Sequence, residues 1–94
     1  MTPNPRPHYQ VILGVRASKE LRKLDNTTSR RVRGALRKLG DDPRPDGCRK
    51  LKGEEDLWRI RVGDYRILYS IDDGEVVVVA LRIAHRSDVY RDLD

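Results

Sequence analysis

Apolar residues fall at every second position on both arms of the stretch Trp58–Tyr69, and Gly63-Asp64 interrupts them, a pattern that predicts a β-hairpin. Gly stands first in the two-residue turn, the chemistry of a type II′ turn. With Val62 opposite Tyr65, the facing pairs become Arg61 with Arg66, Ile60 with Ile67, Arg59 with Leu68, and Trp58 with Tyr69. Upstream, Tyr9, Val11, Leu13 and Val15 alternate with Gln10, Ile12, Gly14 and Arg16, which predicts a first strand. The period then becomes helical. Ser18 is placed to cap a helix carrying Leu21 and Leu24 and ending near Asp25-Asn26. A second helix starts near Thr27-Thr28-Ser29, carries Val32, Ala35, Leu36 and Leu39 at i, i+3, i+4 and i+7, and stops at Gly40 with Pro43 beyond. Residues 40–50 are rich in turn formers and read as a loop. Asp73-Gly74 offers a second tight turn, of the type I′ kind, into Val76–Ile83, a strand apolar on both faces. This order gives an α+β domain, two N-terminal helices packed on a mostly antiparallel four-stranded sheet (β-α-α-β-β-β), with a short helical turn at its C-terminal end.

Three prolines within residues 1–7 set that segment apart as an extended tail, leaving 8–94 as a single domain with one two-layer core. Twenty Lys and Arg against 15 Asp and Glu give a net charge of +5, which favours a polyanionic partner. Cys48 is the only cysteine, so no internal disulfide can form and a reducing, cytoplasmic setting is expected. No apolar run approaches the length of a membrane span, and the first residues lack the apolar stretch of a signal peptide. Cys and His are too few for a metal site at ligand spacing, the acidic pairs sit in turns, and no Gly-rich phosphate loop precedes a helix, so no cofactor is expected.

The hairpin register carries the chemistry. Trp58, Ile60, Val62, Tyr65, Ile67 and Tyr69 share one face, while Arg59, Arg61 and Arg66 emerge together on the other. A facing Arg pair costs up to about 1 kcal/mol relative to a neutral pair, so its retention points to an anion, and the guanidinium fork matches phosphate oxygens bidentately. Extending the register through Asp73-Gly74 puts Leu68, Ser70, Val77, Val79, Leu81 and Ile83 beside the arginines as an apolar floor. Beyond the last strand, Arg86 and Tyr90 stand four apart in His85-Arg-Ser-Asp-Val-Tyr90, on one side of a helical turn.

Taken in order, Lys50-Leu-Lys-Gly53, the hairpin Trp58–Tyr69 and the closing His85–Tyr90 resemble the recurrent segments of the RelE/ParE superfamily of type II toxin–antitoxin toxins, over almost the whole domain from His8 to Tyr90. The resemblance implies a RelE-like endoribonuclease that cuts mRNA on the ribosome without a metal and inhibits translation. It further implies a cognate antitoxin bound in a hetero-oligomer. By position, Arg59, Arg61, Arg66, Arg86 and Tyr90 fall on the family's catalytic set, and Lys50 and Lys52 join the three hairpin arginines in RNA binding. Two strand positions hold arginine where better-known RelE enzymes have lysine, and arginine is a poor proton acceptor. Proton transfer then falls to Tyr90, or less favourably to His85. The alternative within the superfamily is a ParE-like toxin that inhibits DNA gyrase by binding.

Overall fold

The computed structural model describes residues 7–51, 53 and 56–88. Its elements follow in the order β1 (Gln10–Leu13), α1 (Val15–Arg22), α2 (Asn26–Asp41), β2 (Arg49–Lys50), β3 (Leu57–Val62), β4 (Tyr65–Asp72) and β5 (Val77–His85). The strands form one sheet in the spatial order β1-β5-β4-β3-β2, with β1 parallel to β5 and the other pairs antiparallel. The α+β class is as expected, but the sheet has five strands rather than four. The extra strand, β2, is two residues long, and two residues carry no readable alternation.

Both helices cover one face of the sheet. Ala17, Leu21, Val32, Leu36 and Leu39 meet Ile60, Ile67, Tyr69, Val78 and Ile83 there in the principal core. Burying each large aliphatic side chain contributes roughly 1.5–3 kcal/mol. The N-cap of α1 is Gly14 rather than Ser18. The Gly14 N–H donates to the Ala80 carbonyl at 2.8 Å, and a Cβ on Gly14 would stand 3.2 Å from that oxygen, so the chain turns off the sheet here. Val15, read above as the end of a strand alternation, is therefore 76% exposed in the first helical turn. Asp25 caps α2, its carboxylate accepting the Thr28 N–H at 3.4 Å.

Gly40 lies inside α2 instead of ending it. The Tyr9 N–H donates to the Gly40 carbonyl at 2.7 Å, and a Cβ on Gly40 would come within 2.9 Å of the Tyr9 carbonyl oxygen. This glycine serves close approach of two backbones.

The β3–β4 hairpin forms in the expected register along its whole length. Gly63 has φ +60° and Asp64 is not among the positive-φ residues, as a type II′ turn requires. The next connection differs. Asp72 pairs with Val77, so the loop is 73–76; the Asp72 carboxylate accepts the Glu75 N–H at 3.0 Å, and Val76 adopts φ +58°. The pairing moves by two residues, which keeps Val77 and Val79 on the arginine side. A β-bulge then intervenes, because Tyr69 faces Ala80 whereas Leu68 faces Arg82. One inserted residue reverses every face beyond it. Ile83 turns into the helix-side core, Leu81 occupies the bulge, and Arg82 and Ala84 take the side expected for Leu81 and Ile83. Past β5, Arg86–Asp88 are helical, and residues 89–94 lie outside the described residues.

Candidate functional site

The sheet face away from the helices carries two cross-strand rows. The first runs Arg49, Arg59, Leu68, Arg82 across β2, β3, β4 and β5, and the second runs Arg61, Arg66, Ala84 across β3, β4 and β5. Facing neighbours in such rows stand about 5 Å apart at Cβ. All three hairpin arginines are where the sequence puts them. Arg49 and Arg82 are additions that pattern reading missed, Arg49 because its strand is so short and Arg82 because a bulge leaves no periodic trace.

This face is partly roofed rather than open. Leu51, Leu57, Leu68 and Ala84 form a second, smaller core on it, and the Leu51 N–H donates to the Leu57 carbonyl at 2.9 Å. Arg59 and Arg66 are accordingly 4% and 6% exposed, while Arg61 stays exposed. Arg66 Nη1 donates to the carbonyl of Tyr65 at 3.2 Å. Arg82 is held from the other side, its Nε donating to Glu20 Oε2 at 3.1 Å, while Glu20 Oε1 accepts the Ile83 N–H at 2.7 Å. With that carboxylate, α1 closes the part of the β5 edge that β1, paired only to 77–80, does not cover.

Arg86 is exposed, and its N–H donates to the Asp64 carbonyl at 2.8 Å, pinning the C-terminal turn to the hairpin turn. His85 is on the sheet face opposite the arginines. It faces Tyr65, ring edge to ring at 5.5 Å, and its Nδ1 accepts the Ser87 N–H at 3.3 Å, so the sheet separates it from the arginines. Lys50 also leaves the arginine face, pairing with Trp58 with its ammonium 5.9 Å from that ring's centroid. Lys52 and Tyr90 lie outside the described residues.

Beside the free edge of β3, a cleft of about 600 Å³ separates the C-terminal half of α2 from the 45–47 turn. Lys38, Arg49, Arg59 and Arg61 border it, with Asp46 the one carboxylate among the described residues of its lining. Guanidinium groups match phosphate oxygens and are suited to stabilising charge that develops on them, but they do not accept protons. Among the described residues, no three His, Cys, Asp or Glu side chains converge as metal ligands.

Residues 11–90 match the family described as the ParE toxin of a type II toxin–antitoxin system. The mRNA interferase toxin RelE of Escherichia coli K12 is 33% identical over 86 residues, spanning 87% of this chain and 90% of that one. Among solved structures, the archaeal RelE–RelB complex from Pyrococcus horikoshii OT3 superposes with a TM-score of 0.75 at 31% identity, covering 84% of this chain and 96% of that one. The toxin–antitoxin complex RelBE2 from Mycobacterium tuberculosis does so with 0.73 at 33% identity, covering 84% and 99%.

Proposed function

The chain belongs to the ParE toxin family of type II toxin–antitoxin systems, in its RelE-like branch, and from that premise we propose that its arginine face holds mRNA for cleavage, so that the protein arrests translation. The observation that carries this reading is the convergence of Arg59, Arg61 and Arg66, with Arg49 and Arg82 beside them, on one face of the sheet. A surface that merely docks on a protein has no need of several forked cations gathered on one face of a sheet.

Cleavage by this site takes the 2′-hydroxyl of the substrate as nucleophile. Exposed Arg61 and the Arg66 beneath it stabilise the charge on the pentavalent phosphate, and Arg86 approaches from the C-terminal turn. The deprotonation of the 2′-hydroxyl and protonation of the 5′-oxygen require a different group. Tyr90, which the family resemblance puts in the catalytic set, is the candidate, since His85 is turned to the far side of the sheet. With so weak a base, alignment of the RNA supplies much of the rate, which fits a substrate held on the ribosome in the cytoplasm. The relatives' complexes are toxin with antitoxin, and a cognate antitoxin is the partner of this chain too.

The test is single-turnover cleavage of mRNA on programmed ribosomes. Tyr90→Phe keeps the ring and should slow cleavage by roughly 10²–10⁴-fold, the range for a lost general acid or base, while His85→Gln should change it little. Undiminished cleavage by Tyr90→Phe with collapse in His85→Gln would move the proton transfer to histidine.

A further inference from the structure

We infer that the outer face of α2 is a second RNA-binding surface, one that takes the phosphate backbone of duplex RNA without reading its sequence, on the side of the molecule opposite the cleavage face. It shares with the proposed function only the class of ligand. Residues 15–41, the helix layer, contain nine Lys and Arg against three acids, an excess of six, so the rest of the chain sums to −1 and the whole net charge of +5 resides in this layer. All nine cations are exposed. The three acids are occupied elsewhere: Glu20 holds Arg82 and the Ile83 N–H, Asp25 caps α2, and Asp41 meets His8 Nδ1 at 3.1 Å.

At 100° per residue, Arg30, Arg33 and Arg37 form one ridge along α2 and Arg31 with Lys38 form another, Lys38 also bordering the cleft beside β3, and Gly34 lies between them. A glycine in the interior of an exposed helix lowers stability relative to alanine. Nothing in the fold demands it, because a Cβ on Gly34 would meet only Arg37 Nη2, at 3.8 Å. What the missing side chain provides is access, letting a backbone approach the helix between two rows of cations.

The chemistry of this face chooses the occupant. From Arg30 to Lys38 the exposed positions are Arg and Lys alone, whereas a docking protein is anchored by buried aromatic or aliphatic residues. They hold no aromatic ring either, and single strands are gripped by stacking bases on such rings. A duplex offers phosphates in two rows and needs neither anchor, and its recognition is by shape and backbone.

The experiment measures binding of a labelled RNA duplex of about 16 base pairs to the full chain across a salt series. Combined Arg30→Ala, Arg33→Ala and Arg37→Ala should weaken binding at least about tenfold and reduce the slope of log affinity against log salt by roughly two to three, one unit per lost phosphate contact. Gly34→Ala should raise the melting temperature by roughly 2–8 °C and still weaken duplex binding. Arg61→Ala, on the other face, should leave duplex binding in place while mRNA cleavage falls, so failure of either reading is seen separately. Unchanged affinity and slope in the triple variant would overturn the proposal. So would a triple variant that binds the duplex normally but loses the antitoxin, which would make this face a protein interface.

Discussion

Arg61 and Arg66 face each other, yet their surroundings assign them different costs of removal. From the sequence, Arg66→Ala relieves a repulsive pair and should not harm the fold. The structure reverses that expectation, because Arg66 is 6% exposed and faces Ala84, a member of the small core that includes Leu51 and Leu68. We expect Arg66→Ala to destabilise by about 1–3 kcal/mol and Arg61→Ala by less than about 0.5 kcal/mol, measured by chemical denaturation. In both, mRNA cleavage should drop by roughly two orders of magnitude, the scale of losing one donor to transition-state charge. Equal stability loss in the two variants would show that burial does not distinguish them. The identity of these arginines was legible because a period of two and a Gly-Asp turn fix their register locally. Their burial was not, since it depends on Leu51 and Leu57 meeting Leu68 and Ala84 on that face.

Among the elements, the hairpin was read residue for residue, while the edges of β1, α2 and β5 were misjudged for physical reasons. Gly40 illustrates the difficulty. As a glycine followed by Pro43 it signals a helix end, but its role depends on Tyr9, more than thirty residues away in the chain. Alanine has the higher helix propensity by up to about 1 kcal/mol, so Gly40→Ala would stabilise an isolated helix. In the folded chain its Cβ would meet the Tyr9 carbonyl oxygen at 2.9 Å, and the backbone on one side must yield. We expect a net loss of about 1–3 kcal/mol in urea melts. A gain in stability would mean that the helix and the start of β1 are not held as closely as described. The β5 bulge is a comparable case, since a single inserted residue moved Arg82 to the site and Ile83 to the core without altering the apolar character of the strand.

At the scale of the whole molecule, the end of the sheet remote from the hairpin turn is tied by a cluster that makes stability depend on pH. Tyr9 donates to Asp73 Oδ1 at 2.6 Å, Arg44 reaches both oxygens of Asp73 at 3.2 and 3.0 Å, and the same guanidinium lies 5.0 Å from the Trp58 ring centroid. Arg44 first, and Tyr9 second, hold the Asp73 carboxyl below the usual carboxylate range. A lowered folded pKa gives stability that is present above about pH 4 and is lost as pH falls through the folded value. The hydrogen bond to Asp73 pushes the Tyr9 phenol up, and burial does the same to Tyr69, which donates to the Pro43 carbonyl at 2.7 Å. Raised phenols contribute below about pH 10 and lose that contribution as pH rises through their folded values. The denaturation midpoint should therefore fall on both sides of a plateau, and Asp73→Asn should flatten the acid limb; an acid limb unchanged in that variant would remove Asp73 from the account. On the arginine face of the sheet, the proposed role is to hold RNA for cutting. Its most direct test maps the 5′ ends of cellular mRNA after brief induction of the wild-type chain and of Arg61→Ala. The wild type should generate new ends within translated regions, and Arg61→Ala should reduce them by about 10²-fold at equal protein level. Growth arrest by the wild type with no new mRNA ends, or the same ends at full strength from Arg61→Ala, would contradict it.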